Sequence, residues 1–288
     1  MEWWQAVILG IVEGVTEFLP VSSTGHLIIA SALIGLDGED IKDSVDAFNI
    51  IIQGAAILAI VGLYWPRMMQ MLRGLLGRDP KGLRLFINIV IACLPAFILW
   101  PFLVGAAKQW LFTPWPVLAA LFLGGVWMIW IDRWRAKRLE AGAEMDLGID
   151  DLTWKQALGI GCFQFFAIWP GTSRAMMTIA GATMLGMKPA KAAEFSFLLG
   201  LPTIAGATAY EIMRELRRDA DSGPGIIEDL GMVPIIIGVV VTIIVAAAAV
   251  KWFVAFLSRH GLAAFGWYRI ILCVIMGAML FTGFIALE

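Results

Sequence analysis

The sequence predicts an all-α polytopic membrane protein: about six transmembrane helices plus two re-entrant helical hairpins, arranged as an inverted-topology repeat. Three observations carry this. The 288 residues are 60% hydrophobic and only 15% charged, with a mean hydropathy of +0.84, whereas a soluble domain carries about 25% charged residues. The apolar runs are long enough for spanning helices, which need about 20 residues, and too long for barrel strands. Two of these runs are broken by a proline followed by small polar residues, P-V-S-S at Pro20–Ser23 and P-G-T-S at Pro170–Ser173.

In chain order, the opening M-E-W-W-Q lacks the basic region of a cleaved signal peptide and reads as mature protein. Residues 3–19 form an apolar helical run that Pro20 ends, because its ring disfavours helix at Leu19. The next run, 24–36, is shorter than a crossing requires. Two sub-length arms predict a re-entrant hairpin over 3–36, with a single kinked spanning helix as the alternative. Broken helices at membrane depth are tolerated only where protein or a cavity surrounds them. Spans are predicted at 45–65, 84–106 and 115–134. After a polar loop from Asp132 to Asp151 comes a second interrupted segment, 153–187, and then spans at 189–211, 232–257 and 265–286.

The chain therefore reads as one membrane domain, 1–288, with repeat halves at about 1–134 and 153–288. Gln5-Ala6 matches Gln156-Ala157, Gly10 matches Gly161, Glu13 matches Gln164 and Phe18 matches Trp169. After a one-residue gap, Pro20 matches Pro170 and Ser23 matches Ser173. An odd number of spans separates the hairpins, so the second opens from the opposite side, as in inverted repeats. The loops at 66–84 (Arg67, Arg73, Arg78, Lys81, Arg84) and 132–155 (Arg133, Arg135, Lys137, Arg138, Lys155) are basic and should be cytoplasmic. Both termini then lie outside. The opposite side holds Lys42 and Lys108, and there Arg214, Arg217 and Arg218 are interleaved with Glu211, Glu215, Asp219 and Asp221. Cys93, Cys162 and Cys273 have neither disulfide nor metal-site spacing. No motif or basic stripe for nucleic acid is visible.

Ionisable groups at membrane depth are costly and mark function by default. Glu13 and Glu17 share a helix face and could hold Mg²⁺ or Ca²⁺ through oxygen, or one of them could move a proton. Ser22, Ser23 and Thr24 exceed what one N-cap needs, and a buried helix N-terminus is a ready anion site. His26, just inside that helix, could serve as general base toward a serine or as acid toward a leaving oxygen. In the second break, Thr172 or Ser173 caps the next helix. Arg174 then sets a cation where the helix dipole repels one. An anion at the site removes the conflict, and arginine suits phosphate through paired hydrogen bonds. A structural bridge from Arg174 to Glu13 or Glu17 is the alternative. Thr178 lies one turn on from Arg174. Gln53 and Gln164 face either the cavity or neighbouring helices.

These residues describe a phosphate-handling site within a membrane, which suits either a lipid-diphosphate phosphatase or a lipid-phosphate transporter or flippase. The local Ser23/His26 pair favours the enzyme. The sequence closely resembles the undecaprenyl-pyrophosphate phosphatase family, the bacterial bacitracin-resistance (BacA-type) membrane enzymes. The resemblance rests on E-G-V-T-E-F-L-P-V-S-S-T-G-H (Glu13–His26), P-G-T-S-R-A-M-M-T (Pro170–Thr178) and A-E-F-S-F-L-L (Ala193–Leu199), and it covers essentially the whole chain.

That resemblance implies hydrolysis of undecaprenyl diphosphate to undecaprenyl phosphate, the lipid carrier for peptidoglycan. It also implies a divalent cation, a homodimer, an inner-membrane location and a site facing the periplasmic side. The family's acidic motif falls on Glu13 and Glu17, its serine and histidine on Ser23 and His26, and its serine–arginine pair on Ser173 and Arg174. One departure is Ala175, where the usual motif continues with serine, and Met176 and Met177 replace smaller residues. The expected mechanism has Arg174 and the helix N-termini, with Ser22, Thr24, Thr172, Ser173, Thr178 and Gln53 about them, holding the diphosphate. Ser23, activated by His26, attacks the terminal phosphorus. Direct attack by water, with His26 or a glutamate as base, is the alternative.

Overall fold

The computed structural model describes residues 1–111, 113–217 and 225–282, and these are helical apart from turns and an isolated Leu147–Met187 bridge. Six helices among them are long and apolar enough to cross a membrane. They are α3 (Lys42–Leu63), α5 (Pro80–Leu111), α6 (Pro114–Glu140), α9 (Pro189–Leu216), α11 (Met232–His260) and α12 (Ala263–Phe281). These are the expected spans, shifted by a few residues at their ends. The last four residues of the 265–286 span, together with Arg218, Asp219 and Asp221, lie outside the described residues.

The two interrupted runs each resolve into two short helices. α1 (Trp3–Thr16) and α2 (Ser23–Leu33) flank the first break, and α7 (Trp154–Phe165) and α8 (Arg174–Met184) flank the second. Local chemistry sets these starts. Thr153 caps α7 in a reciprocal box, its Oγ1 accepting from Gln156 N at 3.3 Å while Gln156 Oε1 accepts from Thr153 N at 2.9 Å. The start of α12 is capped from a distance, by Asp132 Oδ2 accepting from Leu262 N at 2.6 Å and from Ala263 N.

The 66–84 region is not the loop expected from its charges. It holds α4 (Trp65–Leu75), an 11-residue helix with Pro66 in its first turn. Asp79 Oδ1 then accepts from Lys81 N and Gly82 N, both at 3.0 Å, and starts α5. A Cβ on Gly74 would lie 2.1 Å from Leu83 N, and one on Gly82 would lie 1.9 Å from Gln70 O, so only glycine lets α4 and α5 meet here. Arg67 leaves α4 to reach Glu194 Oε1 and Asp150 Oδ1, each at 2.9 Å. Partial burial works against the guanidinium charge, but these two carboxylates outweigh it and raise its pKa above the ordinary arginine value.

Packing divides the chain into two compact units. The first comprises Met1–Phe18, Ser23–Leu63 and Gly200–Lys251. Its core gathers Ala6, Leu9, Leu27, Phe48, Ile52 and Leu230, and Thr242 Oγ1 donates to Gly10 O at 3.2 Å. The second comprises Leu19–Ser22, Tyr64–Leu199 and the chain from Trp252 onward. There α5 packs on α7 and α6 on α12, and α6 and α12 cross where Gly125 and Gly266 face each other's carbonyls. Each unit thus draws on both halves of the sequence. The first break, Leu19–Ser22, belongs to the second unit, while its two arms belong to the first.

Candidate functional site

In the first unit, Glu17 caps the end of α1, and its N–H donates to Glu13 O at 3.0 Å. This continuation of the helix puts the two carboxylates on one face, one turn apart. Glu13 is fully buried, and neither carboxylate oxygen has a hydrogen-bond partner among the described residues. Glu17, also buried, accepts on Oε2 from the Ser23 hydroxyl at 2.8 Å and from Gln53 Nε2 at 3.0 Å. The structure therefore brings Glu17, Ser23 and Gln53 together. Ser23 gives its proton to Glu17 in this arrangement. His26 is half-buried on α2, one turn beyond Ser23, and Thr24 is exposed.

The second unit holds both breaks. In the first, Val21 N donates to Leu19 O at 2.8 Å and Ser22, buried, takes φ 72°. In the second, a 3₁₀ turn at Phe166–Ile168 leads to Trp169, whose Nε1 donates to Pro116 O at 2.9 Å. Thr172 Oγ1 donates to Trp169 O at 2.6 Å, and Ser173 takes φ 69°. Ser173 is the cap of α8, its Oγ accepting from Met176 N at 3.3 Å, which decides between the two candidates for that cap. Ser22 and Ser173 are the only non-glycine residues with positive φ among those described. Such conformations cost about 1–3 kcal/mol each and gather at functional sites.

Arg174 opens α8, half-buried, and its Nη1 donates to Ser196 O at 3.1 Å. Thr178, fully buried, donates to Arg174 O at 2.8 Å, and its hydroxyl meets Ser196 Oγ at 2.6 Å. Ser196 therefore anchors both Arg174 and Thr178 from α9. Gln164, the sequence counterpart of Glu13, is also buried, with neither side-chain polar atom partnered among the described residues.

Sequence reasoning missed Arg269. It stands in the apolar run F-G-W-Y-R-I-I-L-C, and the rule that singled out Glu13 and Glu17, an ionisable group at membrane depth, applies to it equally. Its side chain is fully buried and donates to carbonyls in both breaks, Pro20 O at 3.3 Å, Thr172 O at 3.2 Å and Gly171 O at 2.7 Å.

The acidic pair fits a cation. A buried carboxylate without donors is expensive as a bare anion, and a bound metal or a proton relieves that cost. No group of three or more His, Cys, Asp or Glu that could hold a metal occurs among the described residues. The donors on offer to a cation would thus be two carboxylates, a set that suits Mg²⁺ in particular. That ion is commonly held by one or two carboxylates together with substrate phosphates.

The family model for bacitracin resistance protein BacA matches residues 6–275. A protein named undecaprenyl-diphosphatase from Sorangium cellulosum is 43% identical over 272 residues, 94% of this chain and 84% of that one. Another of that name from Pseudomonas aeruginosa is 44% identical over 275 residues, with 94% and 92% covered. A third, from Nitrosomonas europaea, is 41% identical over 273 residues, with 94% and 93% covered.

Proposed function

The chain belongs to the bacitracin resistance protein BacA family, and from that premise we propose that it hydrolyses undecaprenyl diphosphate to undecaprenyl phosphate and phosphate. This recycles the lipid carrier for cell-wall synthesis and confers bacitracin resistance. The observation that carries the reading is the Ser23–Glu17 hydrogen bond beside a second buried carboxylate. A transporter needs to bind the anion, but it has no use for a hydroxyl whose proton is already directed to a base.

The residues divide the work. Arg174, on the N-terminus of α8, holds the diphosphate, with Ser22, Thr172, Ser173 and Thr178 shaping the breaks beside it. Ser23 Oγ attacks the terminal phosphorus and passes its proton to Glu17 Oε2. An Oγ–P bond forms as the bridging P–O bond breaks, and undecaprenyl phosphate leaves. Water then cleaves the serine ester and releases phosphate. Gln53 fixes Glu17 by donating to the same oxygen, which keeps the serine and its base in register. His26 supplies the second proton-transfer group, one turn along α2. Glu13 and Glu17 would hold the divalent cation, which when bound neutralises charge developing on the phosphoryl oxygens.

The enzyme acts in the bacterial inner membrane with its site open to the periplasmic side and both termini outside, as the asymmetry of basic segments supports. The two hairpins are re-entrant arms of an inverted repeat, supported by their sub-length helices and matched prolines. The homodimer rests on the resemblance. The test is phosphate release from undecaprenyl diphosphate by purified protein. Release should stop with chelator and return with Mg²⁺ or Ca²⁺. No release, together with lipid movement across vesicles, would establish the transporter instead.

A further inference from the structure

Arg269 is the largest fully buried side chain among the described residues. A guanidinium carries five N–H donors in a rigid fork, and here all have acceptors. Nε donates to Leu121 O at 3.3 Å, Nη1 to Pro20 O and Thr172 O, and Nη2 to Ala120 O at 3.0 Å and Gly171 O. Every acceptor is a main-chain carbonyl, and no carboxylate among the described residues pairs with it. Burying a charge without a counter-ion is costly, and an apolar side chain would fill the same space at lower cost. The arrangement therefore needs a reason other than stability.

The acceptors supply one. Pro20 opens the first break, and Gly171 and Thr172 lie in the second, so one side chain ties together two turns about 150 residues apart in sequence. Each tie sits one or two residues before a serine held at positive φ, Ser22 or Ser173. A trans peptide points its N–H opposite its carbonyl. The Thr172 carbonyl faces the guanidinium, so the Ser173 N–H points away from it, and the cation polarises that amide into a stronger donor.

Building on the phosphatase reading, we propose that Arg269 is a positioning residue for the reaction. It locks the two breaks against each other, holds Ser22 and Ser173 in their strained conformations, and so aims the Ser173 N–H and the α8 N-terminus at the phosphoryl group. Displacements of about 1 Å at such groups cost on the order of 100-fold in rate. Interactions lost only in the transition state lower kcat and leave KM in place.

The experiment compares wild type with Arg269→Met, Arg269→Lys and Gly124→Ala, assaying undecaprenyl diphosphate turnover per folded molecule, with the folded fraction taken from the thermal transition. Arg269→Met keeps the volume without the fork, and Arg269→Lys keeps the charge without it. Gly124→Ala keeps the arginine but places a Cβ 2.6 Å from Arg269 Nη2, forcing the fork aside. Both arginine variants should lose about 100-fold in kcat with KM within about threefold. Gly124→Ala should lose about 10-fold in the same parameter. Folded Arg269→Met with kcat near wild type, or a loss confined to KM, would overturn the inference. If neither arginine variant folds, Gly124→Ala decides: a kcat near wild type there overturns it as well. An inactive wild type would instead refute the phosphatase reading, so the two failures are separable.

Discussion

At Pro20–Ser22 and at Pro170–Ser173 the backbone performs the same manoeuvre. A short apolar helix ends, the chain turns at a proline, a serine takes positive φ, and an 11-residue helix begins. The second turn is one residue longer: α8 starts four residues after its proline, α2 three after its own. That single residue changes the job of a matched serine. Ser173 becomes the cap of α8 and accepts from Met176 N, while Ser23 is already inside α2 and turns its hydroxyl to Glu17. The preceding arms differ to the same effect, since the counterparts of Glu13 and Glu17 are Gln164 and Ile168. On the reading proposed above, the first of these similar turns serves proton transfer and the second the anion.

The largest expected effect is on the proton-moving half. Glu17→Gln and Ser23→Ala should each lower kcat about 10³-fold or more, equivalent to roughly 4 kcal/mol, without loss of fold. Substantial turnover by Ser23→Ala would replace the covalent route with direct attack by water. The second turn's arm should refuse a charge at Gln164, the position matched to Glu13. Gln164→Glu should lower stability in detergent by about 3 kcal/mol, whereas Gln164→Leu should be neutral or stabilising, both read from thermal melts. A Gln164→Glu protein as stable as wild type would show that the two buried positions differ less than their partners indicate. The smallest effect is at the matched serines. Ser173→Ala should cost about 1 kcal/mol as a lost cap and reduce turnover less than Ser23→Ala does. Equal losses of turnover would dissolve the distinction between cap and nucleophile.

The spans were legible because length and hydropathy alone decide them. The breaks were legible because proline and clustered hydroxyls conflict with an apolar helix. α4 was not: its basic residues read as a charged loop, and it is helical because it lies on α5 through a glycine contact that no local pattern announces. The site was half legible. Helical spacing pointed from Ser23 to His26 and gave no sign of the Ser23–Glu17 bond, which crosses a proline turn where periodicity carries no information. Gln53 bonds Glu17 from another helix, a contact that spacing within one helix does not announce. Arg269 obeyed a rule already in use and was passed over because no motif surrounds it.

The meeting of α4 and α5 has a consequence at the level of the gene. Gly74 and Gly82 each stand where any Cβ would run into the other helix's backbone. Every single-base change in the first two letters of a glycine codon either adds a Cβ or stops translation. These two codons can therefore drift only at their third letter, and a saturation survey scored by survival under bacitracin should find them silent-only, although neither lies in the motifs to which the chemistry is assigned above.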